Sequence, residues 1–280
     1  MAPAKGESSQ LSRRWQPPNM GIPMLRLLVL VTALSACQAK ISAGSGDDVG
    51  DEVDGGQQMN IDAATVLPDA APVDMGPVCL ATQARSVYLN FEGQALTRNV
   101  AASDATQNQA SWMNKANGTA PAFRAGSGTR AADIQQITDG MIAALVGLNV
   151  NVVTTRPATG PYMMIVFGGT AANVGSNFGG AVQDLDCGNL VASDVAWVGD
   201  GVAPNQRVIN FALGAIGFGV GMTATTNTND CMCGWDNACN QTTNQCTFGA
   251  AINTDPAANQ TCPNQATQNE QQSIQQAFCQ

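Results

Sequence analysis

From Ser86 onward, hydrophobic and polar positions fall into short alternating runs and two longer stretches of helical spacing. Val87, Leu89 and Phe91 alternate within Ser86–Gly93, which predicts a strand. Ile134, Ile137, Met141, Ile142, Leu145 and Leu148 recur at helical spacing after Thr129, a residue suited to the N-cap. "NVNVVTTRP" predicts a second strand that stops at Pro157, and "PYMMIVFGG" a third. The third is apolar almost throughout, as expected of a central strand buried on both faces. "SDVAWVGD" predicts a further strand, with an edge strand ahead of it around Gly180 to Leu185. Next comes "RVINFALGAIGFGVGMTAT", Arg207 to Thr225, an apolar helix carrying Gly214, Gly217, Gly219 and Gly221. No ionisable residue occurs between Val208 and Asn229. A helix that is apolar all round is expected to lie in a core. "NEQQSIQQAFC" predicts a last short helix. The order implies an α+β fold: a mixed, twisted sheet with two main helices, then an irregular, cysteine-rich C-terminal part.

The segment before this domain has a different character. In "MLRLLVLVTALSAC", Arg26 precedes an apolar run that is too short for a permanent membrane span. Leu34, Ser35, Ala36 and Cys37 resemble the lipobox of bacterial lipoproteins. That resemblance implies cleavage before Cys37, lipid attachment to it, and a lipid-anchored place in the bacterial cell envelope. With Gln38 next, it favours the outer membrane. An ordinary signal peptide cleaved after Ala36 is the alternative. The polar residues 1–19 make Met20 or Met24 the expected start of the exported form. Residues 37–78 then read as an acidic tether, with Lys40 against eight carboxylates from Gln38 to Val78. Such a segment buries too little apolar surface to offset its ordering entropy.

Composition narrows the chemistry. The chain has no histidine, so no His-based triad and no His-ligated metal is available. A net charge of −9 argues against nucleic acid as a partner. Besides Cys37 there are eight cysteines, at 79, 187, 231, 233, 239, 246, 262 and 279. In an oxidising compartment an even number implies disulfides, four here, with the pairing open. The spacings in "CMCGWDNACNQTTNQC" fit no paired C-x-x-C zinc site.

The element order and the glycine helix resemble the N-terminal half of zincin metalloproteases of the metzincin type. In those proteins this helix carries H-E-x-x-H-x-x-G-x-x-H, with two His on one face and a Glu base between them. Here Ile216 and Gly217 match residues inside that motif, and Gly221 falls on its turn glycine. Gly214 and Phe218 stand at the first two His positions, Ala224 at the third, and Ala215 at the Glu. Met232, in "DCMC", resembles the methionine turn that follows the metal site. The resemblance covers roughly residues 86–249 of a domain expected to span 79–280. It implies a degenerate, zincin-like domain without zinc, cofactor or peptidase activity, with a peptide or protein as its ligand.

Two other readings compete with it. A hydrolase with a site free of His would draw on Asp184, Asp186 or Asp230. A disulfide-stapled surface module would lack the zincin strand order. "DLDCGN" spaces Asp184 and Asp186 as calcium ligands can be spaced, although the rest of an EF-hand loop is missing. Glu92 and Asp104 would serve as a carboxylate pair for glycoside hydrolysis only if the fold brings them together.

Overall fold

A computed structural model describes residues 85–236 and 239–279. The signal region, Cys37, the tether and Cys79 lie outside the described residues. In chain order the elements are β1 (Ser86–Asn90), β2 (Gln94–Arg98), β3 (Gln109–Ala110), β4 (Asn117–Ala120) and α1 (Arg130–Ala144). There follow β5 (Asn151–Val153), β6 (Tyr162–Phe167), α2 (Ala171–Val174), β7 (Ala181–Val182), β8 (Val195–Val198) and α3 (Asn205–Gly219). The chain closes with β9 (Ile252–Asn253), β10 (Thr267–Gln268) and α4 (Glu270–Ala277). The fold is mixed α+β, as the pattern predicts.

The main sheet has the order β5-β1-β6-β8-β7. Its first four strands are parallel, and β7 runs antiparallel to β8 at the edge. Every residue of β6 is buried. The two-residue period of a strand explains how the sheet serves two cores. Val87, Leu89, Met163, Ile165, Phe167, Ala196 and Val198 face α1 and α3. Tyr88, Tyr162, Met164, Val166, Val195 and Trp197 face the other way, toward Leu96, Trp112, Met113 and Val174. Each fully buried side chain of this size contributes about 1.5–3 kcal/mol, so both faces matter to stability. The second face is covered by a three-stranded sheet, β3-β2-β4, which the hydrophobic pattern does not predict. The reason is visible in β2, where Leu96 alone is buried among five residues.

The first long helix ends earlier than its apolar spacing suggests. Leu145 caps α1, and Leu148 reaches the core from the turn beyond it. Ile142 is 47% exposed despite its place in the apolar series. Thr129 holds the N-cap position but makes no capping bond. Its hydroxyl instead donates to Asp133 at 2.9 Å. By contrast α3 is buried continuously from Ala212 to Gly219, as an all-apolar helix should be.

Disulfides staple the C-terminal part. Cys187 pairs with Cys262, Cys231 with Cys246, and Cys233 with Cys239. Cys279 is also disulfide-bonded. Among the described residues no helix is long and apolar enough to cross a membrane.

Candidate functional site

The end of α3 is a Schellman turn. Met222 N–H donates to Gly217 O at 2.9 Å, and Gly221 N–H donates to Phe218 O at 3.0 Å. Gly221 sits at φ +84°, a conformation that glycine adopts without steric cost. A Cβ there would also press on Asp186 O, 2.7 Å away. The chain therefore reverses tightly and returns beneath the helix. Met232 then lies against α3 at Gly217, where a Cβ would collide with its sulfur. So Gly221 makes the turn, and Met232 packs against α3 at Gly217.

The four positions that the resemblance sets against zinc ligands and base have different surroundings. Ala215 and Ala224 are fully buried in the main core. Gly214 is covered by Trp235: a Cβ at 214 would fall inside the indole, and it would stand 2.7 Å from Cys231 O. Phe218 packs on the same indole, with ring centroids 5.2 Å apart, and Phe211 meets it edge-on at 6.4 Å. The buried indoles of Trp112 and Trp197 donate to Val195 O and Gly168 O at 2.7 and 2.8 Å. Trp235 Nε1 has no partner among the described residues. A zinc ion does not fit this donor set. Gly214, Ala215, Phe218 and Ala224 carry no side-chain donor atom, and aromatic rings occupy the adjoining space.

Beside these rings a cleft of about 220 Å³ opens between β7 and α3. Phe178, the run from Ala181 to Asp184, Phe211 and Phe218 line it. Trp235 and Asp236 also line it. A second cavity, of about 410 Å³, continues along the start of α3 past Trp197 and Arg207, and shares Gly179 and Phe211 with the first. Among the described residues β7 pairs with β8 only, and both its residues, Ala181 and Val182, line the first cavity.

The acidic residues do not form one centre. Asp184 lines the cleft and accepts a hydrogen bond from the Ser111 hydroxyl. Burial pushes its carboxyl up from the usual range, and the Ser111 bond opposes this. Asp186 instead accepts from Val191 N–H at 2.7 Å. Asp230 accepts from Met232 N–H at 2.7 Å. Neither Asp186 nor Asp230 lines the cleft. Glu92 pairs with Arg130 at 2.9 Å, while Asp104 binds Thr106 in its own turn, so they are engaged separately. Among the described residues no three of His, Cys, Asp or Glu form a group that could hold a metal.

Two buried acids escape sequence reasoning. Asp194, 2% exposed, is pushed up to about 7 by burial. Glu270 is fully buried and pushed up to about 8, first by burial and then by the neighbouring Asp230. Gly249 N–H and Gln268 Nε2 donate to its two oxygens at 2.9 and 2.7 Å. A glutamate in the first turn of a helix normally faces solvent and the helix dipole. Only the Asp230 contact, forty residues away in sequence, reveals its different role.

No protein-family model matches the chain, and no curated protein matches it.

Proposed function

We propose that the chain is an exported, lipid-anchored envelope protein whose domain is a metallopeptidase framework without metal chemistry. In this reading the groove beside β7 binds an extended peptide or a protein segment and does not cleave it. One observation carries the proposal: Trp235, packed on Phe218, fills the space over Gly214, while the cleft beside the edge strand stays open. An exposed strand edge next to an apolar groove is a common way to hold an extended peptide, because backbone hydrogen bonds supply affinity and the groove supplies selectivity. Further support comes from the glycine turn at Gly221, Met232 beneath Gly217, and the antiparallel edge strand next to α3. The whole chain offers no histidine from which a catalytic zinc site could be rebuilt.

The direct test is elemental analysis of the purified protein together with a peptidase assay on mixed peptides. We expect zinc well below one equivalent and intact peptides. Stoichiometric zinc with peptide cleavage would overturn the proposal. The anchor is tested separately by mass spectrometry of the N-terminal fragment: diacylglyceryl-modified Cys37 supports it, and an unmodified N-terminus after Ala36 removes it.

A further inference from the structure

The smaller cavity has a chemistry of its own. We infer that it takes the cationic side chain of an arginine or lysine from an extended peptide, held between aromatic faces and the carboxylates of Asp184 and Asp236. This deepens the peptide-binding reading and rests on it.

Three features point to a cation. First, four aromatic residues line the space: Phe178, which is 54% exposed, Phe211, Phe218 and Trp235. Ring faces carry negative potential and attract ammonium and guanidinium groups. One face of Phe211 is already taken by a guanidinium, since Arg207 Cζ lies 5.5 Å from its centroid, which leaves the other aromatic residues to meet a bound cation. Second, two carboxylates line the cavity, and among the described residues no Lys or Arg does. Asp236 is positioned by Gln260 N–H and by Asn259, whose amide donates at 3.4 Å. Asp184 is positioned by Ser111. Third, the volume of about 220 Å³ falls below the roughly 300–1,000 Å³ of pockets for drug-sized ligands. It suits one side chain, while the 410 Å³ continuation past Gly179 leaves room for the rest of a peptide.

The alternatives fit less well. An acidic side chain would meet two carboxylates of like charge. A neutral apolar one would remove water from Asp184 and Asp236 without replacing it by a partner, which is costly for buried charge. A cation would also favour the ionised form of Asp184 against the burial that now opposes it. Binding should therefore strengthen as pH rises through the titration of Asp184.

The test uses the full chain and four hexapeptides, Ac-Ala-Ala-Val-X-Val-Ala-NH2, with X as Arg, Lys, norleucine or Glu. Affinities are measured by calorimetry. A fifth titration uses tetramethylammonium alone, read by Trp fluorescence with Trp235→Phe as the control. We expect the Arg or Lys peptide to bind about tenfold or more tightly than the norleucine peptide, with the Glu peptide weakest. Asp184→Asn should remove about that factor for the cationic peptides and should not weaken the norleucine peptide, with circular dichroism reporting an intact fold. Equal affinity for Arg, Lys and norleucine would overturn the cation inference and leave the peptide reading standing. Saturable quenching by tetramethylammonium with no peptide bound would keep the cation pocket and overturn its peptide source. No response to any probe would overturn both.

Discussion

Trp235 lies across α3 at Gly214, and its indole fills the volume that a side chain at 214 would need. The contact joins a residue of the disulfide-stapled turn to the middle of the core helix. It explains why a glycine is kept inside an otherwise well-packed helix, where it costs about 1 kcal/mol relative to alanine. Gly214→Ala would gain that propensity but drive a methyl group into the indole and toward Cys231 O, 2.7 Å from the new Cβ. Overpacking of this kind costs about 1–3 kcal/mol, so we expect a net loss of stability. Urea unfolding of Gly214→Ala, Trp235→Ala and the double variant checks this. The two substitutions should couple by about 1 kcal/mol or more, whereas additive effects would mean the residues do not touch.

The Cys187–Cys262 bridge spans 75 residues and ties the segment after β7 to the region beyond the α3 turn. Cys262 Sγ also sits 3.3 Å from Gly221 O, at the reversal itself. Restriction of the unfolded chain by a loop of this length is worth roughly 4–5 kcal/mol. The double variant Cys187→Ser/Cys262→Ser should lose most of that in denaturant unfolding. The short Cys233–Cys239 loop, with a separation of six, should cost less when removed.

The Asp230–Glu270 pair makes stability depend on pH. Folding raises Glu270 from 4.5 to about 8, so between these values the folded protein holds a proton that the unfolded chain has released. The contribution is complete at or below about pH 4.5 and falls as pH rises to about 8. Asp194, raised from 3.8 to about 7, acts in the same direction over its own range. Glu270→Gln keeps one acceptor oxygen, for Gly249 N–H, loses the bond from Gln268 Nε2, and removes the acid that titrates. We expect this variant to flatten the decline in thermal stability from pH 5 to 8 and to exceed the parent at the upper end. An unchanged slope would show that Glu270 is not the group responsible.

Much of the main sheet was legible because its strands bury apolar residues in a regular pattern. Val87 and Leu89 share one face of β1 while Tyr88 is buried on the other, and Tyr162–Phe167 is apolar throughout because both faces of β6 are covered. The two-residue edge strand β7 falls inside the predicted stretch. The sheet β3-β2-β4 was hidden because its side chains are mostly polar or small, and backbone pairing leaves little periodicity in such a sequence. The glycine turn was legible from Gly221. The aromatic cover was not. Trp235 lies 21 residues beyond Gly214, and only the returning turn places it there. Cysteine pairing stayed open for the same reason, since spacing does not encode which segments meet in space.

The most direct measurement titrates the purified full chain with the arginine peptide, before and after exhaustive chelation, and recovers the peptide for mass analysis. We expect the same affinity in both states and an uncut peptide, with binding weakened by Asp184→Asn. Binding that disappears on chelation and returns with zinc, or a peptide recovered in fragments, would contradict a metal-free, non-catalytic groove.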